Sequence, residues 1–277
     1  MKALRAVAGL AALIVAACAQ APAQAQDDGL VLYGAGSLRE AMTEMAAAFT
    51  RRHGIAVRTQ FAASGRMRER IESGDRVDVF TSADIGHAAK LVADGRATVM
   101  AMFARNDLCL LAPPVRTPAD STGVLDALLK EGTKIGVSPA RIDPLGDYTV
   151  QLFDLIERHK PGAGQSLRSR AVTLDNPPGS PAPQSGDYYL DALRAGRVDL
   201  AIVYCSGKTR FASLAPDLVM MPFPADLAVG PQYGLAVIDK ARPGAMLLAL
   251  TIMSPEGQKI LAAAGFKPVT LPGDSLR

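Results

Sequence analysis

Tryptophan is absent, and aromatic residues make up only 5% of the 277 positions, so few rings are available on which bases or sugars could stack. Cysteine is scarce: three residues build neither a disulfide scaffold nor an evident zinc cluster. A dominant charge is missing as well. Thirty basic residues face 27 acidic ones, giving +3 without long basic runs, so no nucleic-acid partner is expected. Catalytic signatures are also lacking: Gly-x-Ser-x-Gly, Ser-x-x-Lys, a Walker A loop and His-Glu-x-x-His do not occur. His53, His87 and His159 are scattered, and no cysteine stands at ligand spacing to them. Asp78 and Asp84 flank a strand end without a partner base or metal, so no catalysis, metal centre or cofactor is expected. What remains is a composition 49% hydrophobic and 21% charged, which folds around a real core in one large or two smaller domains.

The N-terminus reads as an address. Lys2 and Arg5 precede an apolar run, Ala6 to Ala17, too short to span about 30 Å of hydrocarbon. Two exits follow. Val15-Ala16-Ala17-Cys18 resembles a lipoprotein box, which would make 1–17 the leader and Cys18 a lipidated first residue; Ala23-Gln24-Ala25 would end an ordinary signal peptide at 1–25. Either implies export to the periplasm. No later segment reaches about 18 uninterrupted apolar residues.

The rest alternates short apolar runs with amphipathic stretches. Leu30–Tyr33, Ile55–Phe61 and Val77–Phe80 read as strands. Helices are predicted between them, carried by Leu38, Met42, Met45 and Phe49, then by Met67–Ile71, then by Ile85–Ala93. Strand followed by helix with short turns predicts a mostly parallel sheet. Leu108–Ala112 is a strand stopped by Pro113-Pro114, and a second set begins there. It comprises a helix over 124–129, a strand over 134–137, a helix over 148–158, a Pro-rich loop over 176–185, a helix over 188–195 and strands at Leu200–Tyr204 and Val219–Pro222. A strand at Tyr233–Ile238 and helices at Ala245–Met253 and Pro255–Ala264 close the chain. The expected architecture is α/β and two-lobed, with 28–112 plus 226–277 as one lobe and 113–225 as the other.

Two serines stand out. Ser37-Leu38-Arg39-Glu40 has capping-box spacing, and its Gly-rich turn after a strand also suits an anion, because free N–H groups and the helix dipole converge there. Phe61-Ala62-Ala63-Ser64-Gly65 repeats the arrangement, with Ser64 as the expected N-cap. Two such turns belong at the same sheet edge, where α/β proteins bind ligands. Arg66 follows; its stem can turn outward to solvent or its guanidinium can reach an oxyanion, and the outward course is expected. Tyr204 ends an apolar strand, and Asp143-Pro144-Leu145-Gly146-Asp147-Tyr148 leads into a helix whose first N–H groups are free.

These segments together resemble the periplasmic molybdate/tungstate-binding proteins of ABC importers, a type II periplasmic-binding-protein fold. The resemblance runs through Tyr33-Gly34-Ala35-Gly36-Ser37-Leu38, Phe61-Ala62-Ala63-Ser64-Gly65, Val77-Asp78-Val79-Phe80-Thr81-Ser82-Ala83-Asp84, Phe103-Ala104-Arg105-Asn106, Ala201-Ile202-Val203-Tyr204, and Ser254-Pro255-Glu256-Gly257-Gln258 with Gly265-Phe266. It implies two α/β lobes joined by crossing strands and closing on a tetrahedral oxyanion held by neutral donors. Carried over by position, these are the hydroxyls of Ser37, Ser64 and Tyr204 and the backbone N–H of Leu145. They would touch the oxygens of molybdate or tungstate and are not direct metal ligands. A second backbone donor falls near Gly186-Asp187, where the sequence does not look like the usual helix start. Arg66 and Cys205 stand where the family carries smaller residues. The implied partners are a small oxyanion and an inner-membrane permease, with the protein acting as a monomer. The same scaffold carrying sulfate, phosphate or a small carboxylate is the alternative, and a sensor or hydrolase on this fold is a third reading. Cys109 and Cys205 lie at strands that the resembling fold brings near the hinge, so a disulfide in an oxidising compartment and two buried thiols are both open.

Overall fold

The computed structural model describes residues 29–177 and 179–269. The proposed leader, both cleavage sites and Cys18 lie outside them. Among the described residues no helix is long and apolar enough to cross a membrane.

The first half of the chain runs β1 (Leu30–Ala35), α1 (Arg39–His53), β2 (Val57–Ala62), α2 (Ser64–Glu72), β3 (Val79–Ser82), α3 (Ile85–Ala93) and β4 (Ala97–Arg105). The second set runs β5 (Leu108–Ala112), α4 (Val124–Leu129), β6 (Ile135–Val137), α5 (Pro144–His159), α6 (Ala163–Arg170), β7 (Ala171–Thr173), α7 (Tyr188–Arg194), β8 (Leu200–Tyr204), α8 (Lys208–Leu214) and β9 (Val219–Pro222). The chain then returns through β10 (Gln232–Ile238), α9 (Ala245–Met253), α10 (Pro255–Ala263) and β11 (Lys267–Pro268). Two sheets result, in strand orders β11-β4-β10-β3-β1-β2 and β7-β6-β8-β5-β9.

Parallel pairing holds where strand and helix alternate, at β2-β1-β3 and β7-β6-β8. Antiparallel strands complete each sheet: β10 against β3 and β4 in the first, β5 against β8 and β9 in the second. The nine-residue β4 carries no period-2 pattern strong enough to announce it, and its neighbours in the sheet draw it into place. Strand β5 corrects the expected lobe boundary. The proline pair stops the strand but does not end a lobe; β5 hydrogen-bonds into the second sheet, and the crossing falls at Asn106-Asp107.

Alternation along β1 feeds two apolar layers. Leu30 and Leu32 face α1, where Met42, Met45 and Phe49 are buried, while Val31 and Tyr33 face Met67, Ile71 and Leu91 of α2 and α3. The first sheet is therefore covered on both faces, and its strand ends at Ala35 and Ala62, which pair in register, open toward the second lobe. In that lobe Gly146 lets the loop over 138–140 lie on the first turn of α5: a Cβ there would stand 2.5 Å from the Ala140 nitrogen and 2.6 Å from the Ser138 oxygen.

Candidate functional site

Neither serine caps its helix. Ser37 sits in a 3-10 turn (Gly36–Leu38) that takes up the first free N–H groups; Leu38 holds the N-cap position of α1, and no side chain bonds there. The Ser37 hydroxyl turns instead to the Tyr233 hydroxyl at 3.1 Å, and Glu40 approaches Arg210 at 3.9 Å. Ala63 holds the N-cap position of α2, so Ser64 is the first helical residue, fully buried, accepting from the Ala83 N–H at 3.1 Å. That leaves the Ser64 O–H to donate.

Tyr204 closes β8 with its hydroxyl enclosed and without a hydrogen bond of good geometry among the described residues. Its ring meets that of Tyr233 edge-on at 5.7 Å. The Tyr233 hydroxyl bonds both Ser37 and the Asn106 amide, at 3.1 Å each, and that amide also donates to Ser206 at 2.9 Å. Burial, first of all, pushes the Tyr204 and Tyr233 hydroxyls far above their ordinary range, so both stay neutral. A buried hydroxyl left unpaired costs about 1–3 kcal/mol, and such an atom beside a polar cluster at a lobe junction suits a ligand.

The backbone donors are otherwise engaged. The Leu145 N–H donates to Asp143 Oδ1 at 3.1 Å, because Asp143 is the N-cap of α5. Asp143 Oδ2 accepts from the Ser138 hydroxyl at 3.1 Å, and Ser138 is joined to Tyr189 at 2.5 Å. Burial pushes the Asp143 carboxyl above the usual carboxylate range; Leu145 and Ser138 oppose this, and the nearby charges of Asp147 and Asp175 add to it. Among the described residues no cation pairs with it.

At the other expected donor the structure does start a helix, against the reading of that segment. Asp187 caps α7 by accepting from the Tyr189 and Leu190 N–H groups at 2.8 and 3.2 Å, and it pairs with Arg210 at 2.5 Å. Gly186, at φ +79°, donates to the Pro183 carbonyl at 3.1 Å, and the Asp187 N–H to the Ser185 hydroxyl at 3.4 Å.

Arg66 does not run out to solvent. It crosses from α2 to the loop after β7, pairing with Asp175 at 2.6 Å and donating to the Asn176 carbonyl at 3.4 Å. Beside it the Gly65 N–H donates to the Ile142 carbonyl at 2.9 Å, so the lobes touch directly. The Gln232 N–H donates to the Tyr148 hydroxyl at 3.1 Å, a third tie between lobes. Cys109 and Cys205 form a disulfide, with Cα atoms 5.1 Å apart, next to Tyr204.

The two carboxylates weighed as a catalytic pair are structural. Asp78 is buried against Arg242 at 2.6 Å, and Asp84 caps α3 through the Gly86 N–H. Among the described residues no group of three or more His, Cys, Asp or Glu could hold a metal ion. Sequence reasoning missed Tyr233, Asn106, Ser138 and Asp143 as members of the cluster. Asn106 and Asp143 were visible as ends of quoted segments, but nothing local marks Tyr233, whose role depends on β10 returning beside β1 and β3.

Residues 30–267 match the family described as bacterial extracellular solute-binding protein. An uncharacterised protein of Pasteurella multocida is 31% identical over 240 residues, covering 86% of this chain and 98% of the relative. The molybdate-binding protein ModA of Escherichia coli is 28% identical over 225 residues, covering 78% of this chain and 80% of the relative. Among solved structures, the sulfate-binding protein SubI of Mycobacterium tuberculosis superposes with a TM-score of 0.71 at 17% identity, covering 87% of each chain.

Proposed function

Since the chain belongs to the bacterial extracellular solute-binding proteins, we propose that it captures a tetrahedral oxyanion between its lobes, molybdate or tungstate first, and delivers it to an ABC permease in the inner membrane. The enclosed, unpartnered Tyr204 hydroxyl carries this reading. It stands beside a cluster of neutral hydroxyls reaching Ser37, while Ser64 keeps a free O–H at the end of the neighbouring strand. Neutral donors suit an ionised oxyanion, since each bond to a charged group contributes about 1.5–3 kcal/mol without a buried counter-charge. The protein acts as an exported monomer, cleaved after Ala25 or held through Cys18, with no catalytic step. Leu145, Gly186 and Asp187 would join the ligand contacts only after their present bonds rearrange, and Arg66 acts at the rim of the cleft.

Calorimetry with molybdate, tungstate, sulfate and phosphate tests the reading. One oxyanion should bind with one-to-one stoichiometry, and Ser37→Ala and Ser64→Ala should each weaken it by about tenfold or more, or about 1.4 kcal/mol. Affinity unchanged in both variants would remove these serines from the site.

A further inference from the structure

The polarity of the hydrogen bonds behind Ser37 can be assigned atom by atom. Asn106 is 2% exposed and stands where the chain crosses between the lobes. One end of its side-chain amide receives the Asp107 N–H at 2.9 Å and the Ser206 N–H at 3.2 Å. Backbone N–H groups only donate, so that end is the carbonyl oxygen and the other is the NH2 group. Its two hydrogens go to the Ser206 hydroxyl at 2.9 Å and the Tyr233 hydroxyl at 3.1 Å. The Tyr233 oxygen thus accepts from Asn106 and still has one proton to place. Tyr233 is 0% exposed, so bulk water does not take that proton. The Tyr204 hydroxyl, on the neighbouring ring, makes no hydrogen bond among the described residues. The Ser37 oxygen, at 3.1 Å, is the acceptor that remains. Were Ser37 the donor instead, the Tyr233 proton would be buried and unpaired, which folded proteins avoid. Having accepted, Ser37 keeps its own O–H to give, the same state in which the Ala83 N–H leaves Ser64.

We propose that Asn106 and Tyr233 are positioning residues for the anion, a relay that fixes the Ser37 hydroxyl as a donor. The order is Asn106 N–H to the Tyr233 oxygen, Tyr233 O–H to the Ser37 oxygen, and Ser37 O–H to an anion oxygen. Neither residue touches the anion; both act through Ser37. A serine hydroxyl free to rotate points elsewhere part of the time, and ordering it on binding costs entropy. Here its acceptor side is occupied before the ligand arrives, and bonds in a chain polarise one another, which strengthens the last donor. Packing holds the relay in place. The Tyr233 ring meets Phe103, Tyr204 and Phe266 edge-on at 6.2, 5.7 and 5.2 Å, which fixes where its hydroxyl can stand. The inference rests on the oxyanion reading above and on the place of Ser37 within it.

The test is a pair of double-mutant cycles read by calorimetry, the probe being whichever of molybdate, tungstate, sulfate and phosphate wild type binds most tightly. Tyr233→Phe keeps the ring and its packing and removes the hydroxyl. It should weaken binding about tenfold, as should Ser37→Ala, and the double variant should bind within about twofold of Ser37→Ala alone. A role in packing alone would weaken both backgrounds alike, leaving the double variant about a hundredfold worse than wild type. Asn106→Asp keeps an oxygen for the two backbone N–H groups and puts an acceptor where the NH2 group was. Tyr233 then donates to the carboxylate and Ser37 to Tyr233, which takes the Ser37 proton away from the anion. Its loss should be at least about fivefold larger with Ser37 present than in the Ser37→Ala background, and the added charge, common to both, cancels. Should Tyr233→Phe fail to fold, this second cycle carries the test. Additive losses in either cycle, or wild-type affinity in Tyr233→Phe, would overturn the proposal. Failure of the folded wild type to bind any of the four oxyanions, or a Ser37→Ala variant as tight as wild type, would instead overturn the reading of the site, and this inference with it.

Discussion

Individual residues here do two kinds of work, and pH separates them. Asp78 is 1% exposed and receives the Arg242 side chain, the Arg242 N–H at 2.7 Å and the Val31 N–H at 2.7 Å. Burial alone would raise its carboxyl, but these bonds and the Arg242 charge overcome that and hold it below its ordinary value. A depressed folded value means the stabilisation is complete above the unfolded pKa of about 3.9 and is lost as pH falls through the folded value. Asp78→Ala should cost about 3–5 kcal/mol, because it leaves Arg242 buried without its partner, and the melting temperature checks it. Asp143 acts in the opposite direction. Its raised carboxyl makes the folded state bind its proton more tightly than the unfolded chain does, so stability falls as pH rises through the unfolded pKa of about 3.9. Asp143→Asn should therefore melt higher than wild type at neutral pH without ligand, a gain that vanishes in acid.

At the scale of elements, the helix starts distribute capping and ligand duties differently from the serine pattern. Asp84, Asp143 and Asp187 cap α3, α5 and α7, whereas Ser37 and Ser64 cap nothing. Their alanine variants should differ in stability for that reason. Ser37→Ala leaves the start of α1 unchanged, while Ser64→Ala strips the buried Ala83 N–H of its acceptor and should cost about 1–3 kcal/mol in chemical denaturation. The disulfide acts on β8 in the same way. It spans 96 residues and ties β5 to the turn just after Tyr204, holding the end of the strand that presents the unpartnered hydroxyl. Replacing both cysteines by serine should lower stability by up to about 4–5 kcal/mol in the chain-entropy description, read as a lower melting temperature under non-reducing conditions.

At the scale of the whole molecule, direct contacts within the chain tie the two lobes together. Arg66–Asp175 and Gly65–Ile142 bind the lobes at one rim, and Gln232–Tyr148 near the crossing strands. Both partners of the ion pair are partly exposed, 19% and 32%, so it contributes no more than about 1 kcal/mol. Arg66→Ala should accordingly weaken oxyanion binding by at most about fivefold, mainly through faster release in stopped flow, because the closed form is favoured less. A loss of a hundredfold would mean that Arg66 contacts the anion directly. Gly65 sets the closest approach: a Cβ there would lie 2.6 Å from the Ile142 oxygen, an unyielding backbone atom. Gly65→Ala should keep the lobes apart, giving a larger radius of gyration than wild type in X-ray scattering with saturating oxyanion.

Sequence alone determined the parts that local chemistry governs. Short apolar runs placed β1, β3, β8 and β10, helical spacing placed α1, α3 and α5, and strand-to-helix turns put Ser37 and Ser64 at one sheet edge. Residue order also carried the family resemblance. The tertiary structure decided what depends on partners remote in the chain. A capping box is a local option, and Ser37 declines it because Tyr233, 196 residues away, offers its hydroxyl. An arginine in the first turn of a helix can point outward, yet Arg66 finds Asp175 109 residues on. Two cysteines at strand ends can stay apart or pair, and β5 beside β8 pairs them. Spacing reads the period of an element but not which elements become neighbours, and burial, which pushes the Asp143 carboxyl upward and leaves the Tyr204 hydroxyl unpartnered, exists only once those neighbours have met.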